Sequence, residues 1–227
     1  MSGTQAAVRN ASIVVIGPLS PALFQPHWMA AQGLITEAEA ENVQNLVVTH
    51  EFSNFTTEWL SLNSVGEKLT LTTELEPYFS LLRDLAASLI ELFDRIPVSA
   101  IGLNRAAHFD LGSVERWHRV GHALAPKAGI WDDILENPGT RRLAIVGERK
   151  GRPGNVNVAV EPSNVVDNGL FVEVNDHFVA PDGVGAGSDW AAGVIAEEWS
   201  AHEEHAARVF DRMMSIGALD DIEGGSR

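Results

Sequence analysis

Twice along the chain the same succession of patterns occurs: a short apolar run, a helix, extended segments and a long amphipathic helix. The first pass opens on Ile13-Val14-Val15-Ile16, and the second on the run from Val98 to Leu103. Both runs carry an Ile-Gly step before the next element, Ile16-Gly17 and Ile101-Gly102. Continuous apolar runs of this length suit central strands, buried on both faces. A succession repeated at this spacing predicts two copies of one supersecondary unit, not a short-period solenoid.

In the first pass a helix is predicted from about Pro21 to Gln32, with Gly33 placed to end it. Thr36 with Glu39 three residues on has the form of a capping box, so a short second helix starts there. Extended segments follow, led by Leu46 to Thr49, by Trp59 to Leu62 and by the alternating Lys68 to Thr73. Pro77 then opens a long helix to about Ile96, with Phe79, Leu82, Leu85, Leu89, Leu92 and Ile96 on one stripe.

In the second pass Ser113 caps a helix carrying Val114, Trp117, Gly121 and Leu124. Strands are predicted at Arg142 to Val146, Val156 to Val160 and Leu170 to Val174. Ser188 caps a final helix to about Ile216, striped by Ala191, Ile195, Trp199, His202, Ala206, Val209 and Met213. The fold class is therefore α+β: tandem β-α-β-β-β-α repeats, each a ferredoxin-like or TBP-like antiparallel sheet with helices on one face. Residues 11–96 form the first repeat and 97–217 the second. Residues 1–10 and 218–227, polar and rich in small side chains, are expected to be flexible tails.

Trp59-Leu60-Ser61-Leu62, Leu69-Thr70-Leu71-Thr72, the helix from Pro77 and Ala100-Ile101-Gly102-Leu103-Asn104 together resemble a sporadically distributed, uncharacterised prokaryotic family of similar length. The resemblance covers the first half of the chain most fully. The family has no assigned activity and no catalytic residues to carry over. Its patchy occurrence implies an accessory role, such as defence or toxin neutralisation.

Composition excludes some chemistry outright. Among 227 residues there is no cysteine, so disulfides, thiolate metal sites and cysteine nucleophiles are impossible. The N-terminal residues lack the pattern of a signal peptide, and no apolar window is long enough to span a bilayer. The expected location is the cytoplasm, with no membrane partner. A formal net charge of −15 repels phosphate backbones, so nucleic acid is not the expected partner.

Four histidines are candidate metal ligands. His118 and His122 stand four apart on one predicted helix, but Arg119 occupies the place where a zinc protease has its glutamate. His202 and His205 are three apart on the final helix, and His202 falls on the apolar stripe, as a core histidine does. No cofactor is expected. Asn175-Asp176-His177 reads as a strand end, with Asp176 and His177 on opposite faces. Arg149, Lys150 and Arg152 make a compact basic turn between two strands, for which a solvated hairpin is the plainer reading. With Trp131 and Trp190 they are the candidate partner-binding residues.

The expected function is non-enzymatic protein binding, as an adaptor, a regulator or a neutralising component of a defence system. The partner would be another protein, basic in charge, or a second copy of this chain. The competing expectation is a small-molecule-binding protein or a His-dependent metal enzyme using the cleft between the repeats.

Overall fold

The computed structural model describes residues 6–93, 96–181 and 185–216. Its α+β architecture is a single nine-stranded sheet in the order β2-β3-β4-β5-β1-β6-β9-β8-β7, antiparallel throughout. The strands of the two halves meet edge to edge: β1 (Ala6–Ile16) and β6 (Ala100–Asp110) pair side by side at the centre. Outward from β1 come β5 (Lys68–Thr73), β4 (Ser61–Val65), β3 (Phe52–Thr56) and β2 (Gln44–Val48). Outward from β6 come β9 (Gly169–Val179), β8 (Gly154–Pro162) and β7 (Leu143–Glu148). On each side, then, the strand beside the centre is the last before the long helix.

The short helices α1 (Pro26–Ala31) and α2 (Glu37–Glu41) follow β1, and α2 has its capping box, with Thr36 and Glu39 bonded reciprocally. The helix from Pro77 begins as a single turn and continues as α3 (Phe79–Glu91), ending before the expected Ile96. Helix α4 (Val114–Leu124) is capped by Ser113, whose hydroxyl accepts from the Arg116 amide. Helix α5 runs over the expected Ser188–Ile216.

The helices share one face of the sheet. The main core joins Ala11, Ile13 and Val15 of β1, Leu69 and Leu71 of β5, and Ile101 and Leu103 of β6 to Met29, Leu82, Leu89, Ile195 and Trp199. A smaller core in the second half gathers Ala107, Phe109, Val120, Val160, Leu170, Val172 and Met214. The other face carries a line of amides and hydroxyls: Thr56, Ser61, Thr72, Ser12, Asn104, Asn175 and Asn157 are successive cross-strand partners.

Two expectations are corrected. Residues 6–10 are not a tail but the start of β1, paired to β6 up to Phe109; residues 1–5 and 217–227 lie outside the described residues. Strand β3 went unforeseen because Ser53 takes a core position. Its hydroxyl is fully buried and donates to the Phe24 carbonyl, which offsets the burial of a polar group there.

Leu89 and Trp199 are both buried. Leu89→Ala and Trp199→Ala should each lower the free energy of unfolding in urea by about 2–5 kcal/mol, from lost transfer energy and residual cavity. A change below about 0.5 kcal/mol, the range of ordinary surface substitutions, would show that these helices do not carry the core.

Candidate functional site

Strand β9 places Leu170, Val172, Val174, Asp176 and Phe178 on the helix-covered face, so a carboxylate stands in an apolar row. Asp176 is 1% exposed. Arg149, just beyond β7, donates to its Oδ2 at 2.9 Å and also pairs with Glu198 of α5. The guanidinium lies 4.0 Å from the centroid of the Phe178 ring. Arg152 completes the network, reaching Glu198 at 3.0 Å and Glu197. Glycine at 154 makes this possible: a Cβ there would run into the carbonyl oxygen of His177, and its φ of +145° disfavours other residues.

His202 is completely buried, its Nδ1 3.3 Å from Asp176 Oδ2 but not aligned as a hydrogen bond. His205 Nδ1 is 3.7 Å from the other oxygen, Oδ1, which has no hydrogen-bond partner. Burial pushes the Asp176 carboxyl up, but His202, Arg149 and His205 together hold it below the usual aspartate value. Nearby on β6, Arg105 bonds Glu203 at 2.6 Å and lies over the Phe79 ring. Glu203 of α5 is therefore the partner of a buried cation.

Further out, α4, α5, β7 and β8 enclose a poorly filled space. A cavity of about 230 Å³ is lined by Trp117, His118, His122, Leu124, Lys127, Leu143, Val160, Glu161 and Leu170, among others. A groove of about 400 Å³ shares Leu124, Leu143 and Val160 with it and continues past Ile145, His205, Arg208, Val209, Arg212 and Met213. The walls are mostly apolar. The ionisable groups are three cations, three histidines and one acid, Glu161, which already pairs with Arg142 at 2.8 Å. In a chain with 31 acidic and 16 basic residues this local balance is inverted.

Lys127 is the polar group best held in place. It is 8% exposed, and its ammonium donates to the carbonyls of Gly121 (3.0 Å) and Ala125, capping α4. Burial lowers its pKa. An ammonium has three N–H donors, so two carbonyls leave one for a ligand.

The structure distributes the foreseen residues unevenly. His118 and His122 are exposed neighbours on α4, ring centroids 6.4 Å apart, at the cavity wall. His205 lines the groove, while His202 is sealed beneath α5. All four lie in the second half, not in a cleft between repeats, and among the described residues no group of three or more His, Asp or Glu is placed to hold a metal ion. The turn at Arg149, Lys150 and Arg152 is not a solvated hairpin: Arg149 and Arg152 are committed to carboxylates, and of the three only Lys150 is exposed. Trp190 packs partly buried against the main core. Trp131 is 47% exposed and lines a neighbouring depression with Lys127, Arg142 and Glu161. Sequence reasoning missed Lys127 and Arg105 altogether. The Pro-Lys step directly after α4 was the one available signal for Lys127.

No described helix is long and apolar enough to cross a membrane. No family model and no curated protein matches the chain. Among solved structures it is similar to a rolling circle replication initiator protein from Geobacillus stearothermophilus, at 11% identity and a TM-score of 0.33, over 86% of this chain and 79% of that one. That protein is by name a replication initiator, and the finding runs against the expected non-enzymatic protein-binding role, which is withdrawn. A likeness this distant assigns no activity in its place.

The Asp176 arrangement sets a pH dependence. A carboxyl held below its unfolded value contributes stability that is present above about pH 4 and lost as pH falls through the folded value. Unfolding free energy measured from pH 7 down to pH 3 should drop in the wild type. In Asp176→Asn it should start roughly 3–5 kcal/mol lower, since the partly buried Arg149 loses one of its two carboxylate partners, and fall less steeply. Parallel profiles would show that Asp176 is not the titrating group.

Proposed function

We propose that this chain binds a small amphipathic anion, with an apolar body and a carboxylate or similar head, in the space between α4, α5 and the outer strands. The observation that carries this reading is the inverted charge balance of an otherwise apolar groove in a strongly acidic protein. Ligand sites are typically concave and apolar with a few fixed polar groups. Here Leu124, Leu143, Val160 and Leu170 supply the apolar walls, and Lys127 supplies a fixed donor. The long-range field of the protein opposes anions, so the local cations must hold the head against it. Arg208 and Arg212 at the far end of the groove provide a second cationic rim. This site lies within the second half of the chain, away from the central seam where a ligand cleft was expected.

The test is a calorimetric titration with dodecanoate and with dodecanol. Saturable binding is expected for both, the carboxylate binding tighter. Lys127→Met should weaken dodecanoate about tenfold, roughly 1.4 kcal/mol, and leave dodecanol unchanged. Val160→Arg should abolish both by filling the cavity, with a thermal melt checking that each variant is folded. Equal affinity for acid and alcohol, or no saturable binding of either, would overturn the proposal.

A further inference from the structure

The two ends of the sheet are finished differently. At one end β2 is blunted: its pairing with β3 slips between Gln44 and Val47, and Asn45 there has a φ of +55°. A bulge of this kind is a common way to protect an edge strand. At the other end β7 pairs with β8 without interruption over all six of its residues, and no strand lies beyond it among the described residues. It contains no proline, no lysine and no bulge. Ile145 and Val146 are 57% and 65% exposed, one on each face. A regular, apolar, uncovered edge is a template for another strand.

The geometry points to a second copy of this chain as that strand, paired antiparallel through β7 about a two-fold axis normal to the sheet. Such an axis keeps open face with open face only when residues of the same side are opposed. The register centred on Ile145 meets this condition. Ile145 faces Ile145 of the second copy on the helix side, and Ala144 faces Val146 on the open side. Arg142 then faces Glu148, once on each side of the axis. Arg142 directly precedes β7 and already bonds Glu161 of β8 at 2.8 Å, so in the pair it stands between two carboxylates. Moving the centre to Val146 sets Glu148 opposite Ala144 and forfeits both charge pairs. Opposite charges directly across an antiparallel pair are favourable and like charges are not. The inference does not depend on the ligand reading, because it rests on the edge and its charges alone.

The chain has no cysteine, so a single one placed on the axis reports the pairing. Directly opposed Cα atoms are about 4.5–5.5 Å apart, within the span a disulfide bridges, about 4.4–6.8 Å. Under mild oxidation the Ile145→Cys variant should become a disulfide-linked dimer at least about tenfold faster than the Val47→Cys variant, whose thiol sits on the β2 edge. Without oxidant, light scattering on the wild type should show a dimer, with a Kd on the order of micromolar for so short a joint. Arg142→Glu and Glu148→Arg should each be monomeric, since each opposes like charges. Mixed together they should form a one-to-one dimer, because every pair across the axis is then opposite in sign. Three outcomes would each overturn the inference: a wild type that stays monomeric to about 500 μM, an Ile145→Cys variant that links no faster than Val47→Cys, or single charge variants that fail to pair when mixed.

Discussion

The antiparallel seam between β1 and β6 is the contact on which the rest of the molecule depends. It joins residues far apart in the chain, from Ile16 with Ala100 to Ala6 with Phe109. Without it there would be two sheets, each with one more exposed edge and half a core. With it, α3 lies over β1 and β5, α5 lies over β6 and β9, and the two helices pack on each other across the seam. The main core accordingly contains residues of both halves, so neither half keeps that core alone. Contacts this distant in sequence carry a large loop-closure cost, and the seam is expected to form late in folding.

Given the seam, the registers on either side of it are fixed by what each strand buries. On β9 a slip of one residue would turn Asp176 to the open face and drive Asn175 and His177 into the core. The charged row is tolerated because Arg149 reaches it from the β7–β8 turn and Glu198 from α5. An ion pair in such a place adds little net stability over an apolar pair of the same size, but breaking it is costly. It penalises any arrangement in which the turn, the strand and the helix are not all correctly placed. Arg105 and Glu203 act in the same way on β6, one strand nearer the centre.

Element order and helix positions were legible in the sequence because they rest on local signals. The Ser113 and Thr36 caps, the apolar stripe of α5 and the burial of Trp199 all follow from spacing within one element. What was not legible is non-local. Nothing in Ala6–Asn10 shows that it pairs with β6, and nothing in Val98 to Leu103 shows a strand that continues to Asp110, because its outer half carries Arg105 and His108. Polar residues at core positions read as surface until their partners are known. That is why Ser53 hid β3, and why Asp176 and Arg149 were assigned to a strand end and a solvated turn. The groove was half legible: His118 and His122 were singled out, but Lys127 becomes informative only when α4 is seen to end on it.

The uneven finish of the molecule follows from the sizes of its two cores. The first half has an additional strand, β2, and two short helices that bring Met29 and Ala40 into the main core. The second half has a smaller core, and α4 touches α5 only lightly. Its outer strands therefore keep exposed apolar side chains: Ile145 toward the helices and Val146 toward the open face. Leaving such surface in water is unfavourable by about 25 cal/mol per Å², and this supplies the driving force for whatever covers it. Because Ile145 both lines the groove and stands at the proposed two-fold axis, the two coverings meet at one side chain. Any effect that ligand in the groove has on pairing of the edge is then matched, by linkage, by an equal effect of pairing on ligand affinity.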